Sequence, residues 1–496
     1  MTNDSPENSD RRKLFFALGF ALLIVVVYLT GLSIPLLGPD EPRYAQVARE
    51  MFERGDWITP TLGGFDWFEK PALLYWLEIA SFHLFGVNEF AARFGSALFG
   101  IGTVAFLWLA GREAGGRKFA DILAIISASS LGLLTFSRGG SFDIILTFPI
   151  AASMSSYYIW DKRERGSEPG RMKFLVLFYA FAGLALIGKG LVGIVFPYAI
   201  VAFYYVIGRR LPSKAVLLSV FWGTVVCLAV ASLWYVPMYH ANGWKFIDEF
   251  FIQHHFQRYT SNKYLHPQPF WFFFVVLPLM TLPWLPFFFS SLWKSLRDKL
   301  KGAAEADQFS SLGSFAAAWL IVPLAFFSFS GSKLPGYILP VVPAAMILTA
   351  FSVYRFAERS RVRRTIVVAI SITTLVVSAL LAKFVIADFI REETVHHLVA
   401  TANERGYRTE KILNMHTISH SVEFYGAGRL VREPDGKQRK FFGVSEIVEQ
   451  MNRNGTTQEL VIVPVVYLYT LNKPDLVEAE KLDDNGELAI VIVKKK

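Results

Sequence analysis

Cysteine and charge are both scarce in this chain of 496 residues. The single cysteine, Cys227, excludes an intramolecular disulfide and a metal site built from thiolates. Only 18% of the residues are charged, whereas 53% are hydrophobic and 15% are aromatic, and this composition is too apolar for a soluble protein of such length. The composition therefore predicts a polytopic α-helical membrane protein.

Basic residues outnumber acidic ones and give a formal net charge of +9, which in another context would indicate nucleic-acid binding. Here most Lys and Arg residues lie in short loops between apolar runs, where they act as topology signals. No nucleic-acid partner is expected. Residues 1–13 end in three consecutive basic side chains before a long apolar run, and no clear cleavage site follows, so we expect an uncleaved anchor.

Eleven apolar runs are long enough to cross a hydrocarbon core of about 30 Å. They cover residues 14–36, 89–110, 119–136, 142–160, 174–188, 191–207, 215–237, 270–292, 312–329, 337–354 and 365–387. The loops richest in Lys and Arg lie on the side of the N-terminus, which predicts that this terminus is cytoplasmic. An odd number of spans then places the C-terminus on the opposite, outer side.

After residue 387 the composition becomes that of a soluble protein. Short β-branched runs predict strands, and periodic apolar runs between them predict helices. We expect strands at 411–415, 429–432, 459–465 and 488–493, and helices at 394–405, 419–426 and 444–453. The chain thus divides into a transmembrane domain, residues 1–387, and a small periplasmic α/β domain, residues 388–496.

The most polar stretch between two apolar runs is the first outer loop, residues 37–88. So many charged side chains beside a membrane span indicate chemistry or the binding of a polar ligand. Pro42 suits the start of a helix behind Asp40 and Glu41, and apolar residues then recur at helical spacing. A second amphipathic run, 72–85, follows a carboxylate and an ammonium. We therefore expect two amphipathic helices at the membrane surface.

Further polar residues collect on the same side of the predicted membrane. Asp143 begins the fourth span, Lys189 separates two apolar runs, Lys333 and Tyr337 precede the tenth span, and His255 lies in a long outer loop. An acid at the end of an otherwise apolar span is a functional candidate by default. The simpler alternatives are that the two lysines only reach toward lipid headgroups and that the histidine is a surface residue.

The set of side chains suits one kind of chemistry. Lys, Arg and Tyr donors hold phosphate, Glu and His hold a divalent ion, and a carboxylate activates an attacking hydroxyl. A site at the bilayer surface fits a substrate that is part lipid and part polar headgroup, which favours sugar transfer from a polyprenyl phosphate. The alternative from another class is a transporter of lipid-linked sugars, but the predicted spans are apolar at their centres.

Several motifs resemble those of the GT-C glycosyltransferases, and in particular the family of bacterial lipid A aminoarabinose transferases and protein O-mannosyltransferases. They are GPDEPRY at 38–44, EKP at 69–71, KG at 189–190, HHFQRY at 254–259 and SKLPGY at 332–337. The resemblance runs from residue 14 to about 345. It implies a GT-C fold with up to thirteen spans and an inner-membrane enzyme whose active site is periplasmic.

The resemblance also implies a reaction and its partners. The donor would be a sugar on undecaprenyl phosphate, such as 4-amino-4-deoxy-L-arabinose, and the acceptor would be lipid A phosphate or another periplasmic group, with inversion at the anomeric carbon. An enzyme that transfers mannose to a protein or glycan is the alternative within the family. We further expect the lipid bilayer as a partner and a monomeric state.

The resemblance also implies the site residues. The catalytic carboxylates are expected to be Asp40 and Asp143, with Glu41 as a further candidate beside the first. The donor phosphate is expected to bind Lys70 and Tyr337, with Arg43, Lys189 and Lys333 as additional cations. The resemblance implies a divalent metal, zinc, held by Glu69 and His255.

Overall fold

A computed structural model of the protein describes residues 6–168, 171–257, 267–300, 310–386, 390 and 394–496. The chain divides into two compact units. The first consists of Met1–Thr30, Glu69–Leu74 and Arg93–Ala379, and the second of Gly31–Phe68, Tyr75–Ala92 and Leu380–Lys496. The domain boundary predicted between residues 387 and 388 lies outside the described residues, so that division stays a prediction.

The chain is mainly helical. In chain order the α-helices are α1 Pro6–Leu29, α2 Asp40–Arg54, α3 Leu73–Phe85, α4 Glu89–Ala128, α5 Leu131–Phe136, α6 Phe142–Arg165, α7 Met172–Lys189, α8 Val192–Ile207, α9 Lys214–Ile247, α10 Phe272–Met280, α11 Leu285–Leu300, α12 Ser310–Ser328, α13 Val342–Glu358, α14 Arg361–Leu380, α15 His396–Glu404, α16 Val422–Tyr425 and α17 Val444–Asn454. A π-helix follows α9 at Asp248–Gln257 and another follows α14 at Leu381–Val385, and 3₁₀ helices occupy Pro335–Val341 and Val465–Leu471.

The apolar helices confirm a multi-pass membrane protein. Among the described residues, seven helices are long and apolar enough to cross a membrane. The number is eight if α10 and α11, between which the chain bends by 118°, form one broken span. Each predicted span falls on helical segments, but α4 joins the second run to the third across a break at Gly116, whose φ is +75°. The predicted count of eleven, and the thirteen implied by the resemblance, stay predictions.

Burial distinguishes the helices of the first unit. The apolar part of α6 is 89% buried, whereas that of Arg361–Val385, which contains α14, is only 22% buried. A helix that is apolar on all sides and exposed within the protein is suited to contact with lipid. We therefore assign α14 to the lipid-facing periphery and α6 to the interior of its unit, where it packs against α7 and the 3₁₀ helix at Pro335–Val341.

The first outer loop folds as predicted in outline. Helix α2 begins at Asp40, two residues before the predicted proline start, and ends at Arg54. The next residue, Gly55, has a φ of +66° and closes the last turn. A short hairpin, β1 Thr61–Leu62 and β2 Phe65–Asp66, follows it. The Glu50 carboxylate accepts hydrogen bonds from the backbone N–H groups of Gly63 at 2.6 Å and Gly64 at 3.1 Å, so α2 fixes the hairpin.

The C-terminal part of the second unit contains a five-stranded sheet. Its strands are β3 Ile412–Met415, β4 Lys440–Phe441, β5 Gln458–Pro464, β6 Val477–Asp484 and β7 Leu488–Lys495, in the spatial order β4-β3-β5-β7-β6. Strand β3 is parallel to β4 and β5, whereas β7 is antiparallel to β5 and β6. Alternate strand residues pack against α17 on one face and α15 on the other, which gives an α/β/α sandwich.

One strand prediction for this sheet was wrong, and two of its strands, β4 and β6, were not predicted. The run 429–432 forms only isolated bridges, from Leu430 to Ile412 and from Arg432 to Gln438, in place of a strand. Strand β6 was not predicted, because its sequence VEAEKLDD is mostly charged. An edge strand exposes one face and its unpaired hydrogen-bonding edge to water, so charged side chains cost little free energy there. The same charges discourage pairing of this edge with other chains.

Candidate active site

Asp143 lies in the first turn of α6 in the first unit. The Ser141 hydroxyl caps this helix, accepting the Asp143 backbone N–H at 3.1 Å and donating to its carboxylate Oδ2 at the same distance. A carboxylate in a first turn is also favoured by the positive end of the helix dipole. The local sequence therefore fixes the position of Asp143.

Lys189 is the last residue of α7, and its ammonium forms an ion pair with the Asp143 carboxylate. Gly188 permits this contact, because a Cβ there would lie 3.1 Å from the backbone oxygen of Ile145 on α6. Gly190, with a φ of +75°, then ends the helix. Only about a fifth of each side chain of the pair is accessible. The ion pair is therefore partly shielded from water.

Tyr337 completes this cluster. The Lys189 ammonium lies 4.9 Å from the centre of the Tyr337 ring, which is cation–π geometry. The preceding residue, Gly336, touches Asp143 so closely that a Cβ there would lie 1.8 Å from its Oδ2. The structure thus brings together three predicted site residues from three separate segments of the chain: Asp143, Lys189 and Tyr337.

Two further predicted cations of the first unit have protein partners. Lys70 forms an ion pair with its neighbour Glu69 at 2.8 Å, and both side chains are less than 15% accessible. Lys333 is buried and donates to the backbone oxygens of Gln268 at 3.0 Å and Ser330 at 2.7 Å. These carbonyls account for two of the three N–H donors of the Lys333 ammonium.

The second unit holds the predicted residues of α2. The Asp40 carboxylate pairs with the Arg43 guanidinium one turn later, and the Asp40 side chain is 51% accessible. Arg43 also lies 5.3 Å from the Trp67 ring, which holds the guanidinium on one side. This arrangement leaves the Asp40 carboxylate both oriented and open to solvent.

Glu41 has a clear local contact. Its carboxylate accepts the backbone N–H of Leu37 at 2.9 Å and so shapes the entry of the chain into α2. The role of Glu41 in the chemistry stays a prediction.

Glu78 on α3 was missed by the sequence analysis. Its side chain is 1% exposed, and neither carboxylate oxygen has a hydrogen-bond partner among the described residues. Burial raises the pKa of Glu78 well above its usual value, and the Glu41 charge raises it further, so both effects favour the neutral acid. No signal in the sequence selects Glu78, because it lies inside an apolar run and such runs are normally interpreted as packing surfaces.

The described residues do not by themselves form a metal centre. They contain no group of three or more His, Cys, Asp and Glu side chains suited to a metal ion. Glu69 is paired with Lys70, and the side chain of the other predicted ligand, His255, lies outside the described residues. The metal therefore stays a prediction.

Known sequences include a matching family model and several similar relatives. The model of the family described as dolichyl-phosphate-mannose-protein mannosyltransferase matches residues 14–253. An undecaprenyl phosphate-alpha-4-amino-4-deoxy-L-arabinose arabinosyl transferase from Aeromonas salmonicida is 32% identical over 345 residues. That match covers 67% of this chain, and the chain spans about 59% of the relative's length. A Yersinia pestis protein of the same name is 30% identical over 335 residues.

Solved structures confirm the fold. The crystal structure of ArnT from Cupriavidus metallidurans bound to undecaprenyl phosphate matches with a TM-score of 0.79 at 22% identity, covering 97% of both chains. An archaeal oligosaccharyltransferase from Archaeoglobus fulgidus, in complex with an inhibitory peptide and a dolichol-phosphate, matches with a TM-score of 0.56 at 14% identity. That match covers 92% of this chain and 70% of the archaeal chain.

Proposed function

Since this chain belongs to the GT-C superfamily of membrane glycosyltransferases, we propose that it transfers a sugar from undecaprenyl phosphate to an acceptor at the periplasmic face of the inner membrane. The observation that carries the proposal is the cluster of Asp143, Lys189 and Tyr337. Asp143 and Lys189 are 46 residues apart, and a carboxylate, an ammonium and a phenol meet at ends of apolar helices. Such a cluster is costly at a membrane surface unless it binds a polar group.

The sugar is proposed to be 4-amino-4-deoxy-L-arabinose, which the names of the relatives include, and the acceptor a phosphate of lipid A. The match to the mannosyltransferase family model favours a second candidate, transfer of mannose to a protein or glycan. Both candidates use a prenyl-phosphate donor, and they differ in the sugar and in the acceptor.

Mass spectrometry of lipid A and of undecaprenyl phosphates, from cells with and without the gene, tests the proposal. We expect loss of the gene to remove aminoarabinose from lipid A and to make its undecaprenyl precursor accumulate. Unchanged lipid A, with a mannose-carrying precursor accumulating, would favour the second candidate. No change in any prenyl-linked sugar would contradict both.

The reaction is a displacement at the anomeric carbon. A bond forms between the acceptor oxygen and this carbon, while the bond to the donor phosphate oxygen breaks and its electron pair stays on the leaving undecaprenyl phosphate. Negative charge therefore grows on the leaving oxygen, and fixed donors aimed at it stabilise the transition state. We assign this role to Lys70, Lys189 and Tyr337, with Asp143 holding Lys189 in position. Lys333 and Arg43 are proposed as further cations for the phosphate.

The task of Asp40 depends on the acceptor. If the acceptor is a hydroxyl, Asp40 acts as the general base that removes its proton. If the acceptor is a lipid A phosphate, which is already ionised, Asp40 instead positions the acceptor or the donor. The open carboxylate and its fixed Arg43 partner suit either task.

We propose that Glu69 and His255 hold a zinc ion. A carboxylate and a neutral imidazole are suitable ligands, and water or the donor phosphate would complete four-coordination. Zinc in the purified protein should therefore fall in Glu69→Ala and in His255→Ala but not in the control His240→Ala, as measured by elemental analysis. Equal zinc in all three variants, or full activity after exhaustive chelation, would contradict the metal site. The role of Glu69 would then be limited to its ion pair with Lys70.

The proposed orientation has a cytoplasmic N-terminus and a periplasmic C-terminal region. A reporter fused after Asp388, or inserted between residues 244 and 269, should be periplasmic, and one inserted between residues 294 and 307 should be cytoplasmic. Alkaline phosphatase and a fluorescent reporter distinguish the two sides. A cytoplasmic signal after Asp388 would show that the count of eleven spans is wrong by an odd number.

A further inference from the structure

Large apolar side chains are exposed at one edge of the five-stranded sheet in the second unit. Strands β3, β4 and β5 are parallel, so their carboxyl ends meet at this edge. The segments that follow the three strands carry five such side chains, each between 39% and 73% exposed: Ile418, Phe442, Val466, Tyr467 and Tyr469. We call these five residues the edge patch.

Contacts between side chains join the three segments into one surface. The ring of His416, directly after β3, lies 4.5 Å from the Tyr467 ring and 6.0 Å from the Phe442 ring, measured between ring centres. Val466 and Tyr469 are three residues apart on the 3₁₀ helix that follows β5, so they share one face of that helix. The edge patch is therefore continuous across the ends of the parallel strands.

The composition of the edge patch favours a lipid surface as its partner. Soluble proteins bury most clusters of this kind, and an exposed one marks an interaction surface. Tyrosine combines an apolar ring with a polar hydroxyl and is enriched where a membrane meets water. The Lys440 ammonium lies 5.2 Å from the centre of the Phe442 ring. A lysine beside such a ring can reach lipid phosphates, whereas lysine is depleted in interfaces between proteins.

The chain enters this part of the second unit at the same edge. The backbone oxygen of Thr394 accepts the side-chain amide of Asn485 at 3.3 Å. Asn485 belongs to the turn between β6 and β7, and the backbone oxygen of Glu487 in this turn accepts the N–H of Val465 at 2.8 Å. Val465 directly precedes Val466 of the edge patch. The entry of the chain and the edge patch are thus joined through one turn.

The last apolar span ends shortly before that entry. The helical stretch Arg361–Val385 is long and apolar enough to cross a membrane, and Thr394 lies nine residues after its end. Nine residues reach at most about 30 Å when fully extended. The opposite edge of the sheet is about 23 Å further away, because β5 is seven residues long. The edge patch therefore lies on the edge that the chain connects most directly to the membrane.

We propose that the edge patch contacts the bilayer surface on the side of the membrane where the C-terminal region lies. Tyr467 and Tyr469 lie at the boundary between acyl chains and headgroups, and Lys440 faces the lipid phosphates. The edge patch is then a second attachment of this region to the membrane, in addition to the span that precedes it. This contact restrains the orientation of the sheet at the membrane surface and does not depend on which sugar is transferred.

Nitroxide labels on single introduced cysteines test the contact in the full-length protein. Cys227 is the only cysteine of the chain and is buried, so wild type serves as the labelling blank. Tyr469→Cys places the label in the edge patch. The matched control is Thr457→Cys, because Thr457 is also exposed and directly precedes β5, at the opposite edge of the sheet. Both variants are reconstituted into vesicles of phosphatidylethanolamine and phosphatidylglycerol.

The measured quantity is the ratio of two collision rates of the label, one with oxygen, which concentrates in the bilayer, and one with a water-soluble nickel chelate present on both sides of the vesicle. We expect this ratio to be several times higher in Tyr469→Cys than in Thr457→Cys, because the bilayer excludes the chelate. Both substituted side chains are exposed, so neither substitution removes a packing contact of the core.

A second measurement asks whether the edge patch acts as one surface. The label is placed at Ile418→Cys, and Val466→Asp and Tyr469→Asp are added together, since carboxylates are costly in lipid. We expect the ratio of the Ile418→Cys label to fall to that of the Thr457→Cys label. Thr457→Asp is the control and should leave the ratio of the Ile418→Cys label unchanged.

Equal ratios in Tyr469→Cys and Thr457→Cys would place the edge patch in water and overturn the proposal. Slow collisions with both reagents would show that protein covers the edge patch, and spectral broadening by a neighbouring label would identify a second copy of the chain; either result excludes the lipid contact. An Ile418→Cys label that ignores the two aspartates would contradict a common lipid-facing surface. The labels need no substrate, so this inference can fail while sugar transfer is retained, and a loss of the proposed function leaves it standing.

Discussion

Asp40→Asn is expected to lower sugar transfer by about 10²–10⁴-fold while the protein still folds and inserts. The reason for the loss is that general acid–base and charge-positioning roles of a single carboxylate typically contribute factors of this size. Asparagine keeps the shape of the side chain but removes the charge that pairs with Arg43. Transfer in proteoliposomes, with lipid A as acceptor, measures the effect.

Stability should change little in the same variant. The Asp40 side chain is 51% accessible, and exposed ion pairs contribute only about 0–1 kcal/mol. Asparagine is also well tolerated at a helix start. The matched control is Glu53→Gln on the same helix, whose side chain is 61% accessible and lies 3.9 Å from Arg49. Wild-type turnover by Asp40→Asn would remove this carboxylate from the mechanism, and equal losses in both variants would indicate a general effect on α2.

The start of α2 was predictable because its signals are local. Two acids followed by a proline favour a first helical turn, and the apolar residues behind them recur at helical spacing. The helix begins at Asp40, so that Pro42 stands within the first turn, where its missing N–H costs nothing. A proline in a first turn limits the helix start to a few positions and does not select one of them.

The pairing of Asp143 with Lys189 could not be predicted from the sequence. Hydropathy and loop charges placed both residues on one side of the membrane, and the resemblance implied a role for each of them. Their contact depends on the close approach of α7 to α6, which is set by small residues such as Gly188 and by packing along both helices. Such tertiary geometry leaves no periodic signal in the sequence.

Glu78 was missed because of its position in the sequence. Glu78 lies inside an apolar helical run, where one acid hardly alters the periodic pattern and its burial becomes visible only in the fold. Sequence motifs identified residues that carry the chemistry and not the residues that the fold brings beside them.

Gly336→Ala is the second substitution expected to have a large effect, because its neighbour is the Asp143 carboxylate. The added methyl group would lie 1.8 Å from Oδ2 of Asp143 and 2.8 Å from Cε1 of Phe136. Both distances are far below van der Waals contact, so the carboxylate must move. Its displacement disrupts the ion pair that holds Lys189 and leaves a partly buried ammonium without its counter-ion.

Transfer by Gly336→Ala should therefore fall by about 10²-fold or more, since a displacement of about 1 Å at a catalytic group costs this much. The matched control is Gly313→Ala in α12, where the nearest atom to a new Cβ, Cε2 of Phe351, is 3.5 Å away. That is an ordinary contact, and alanine is a better helix former than glycine, so activity and melting temperature should be retained.

Donor turnover and thermal unfolding of both variants in the same detergent give the comparison. Equal turnover by Gly336→Ala and wild type would show that the position of Asp143 does not limit the reaction, and the Asp143–Lys189 pair would then be a structural brace between α6 and α7.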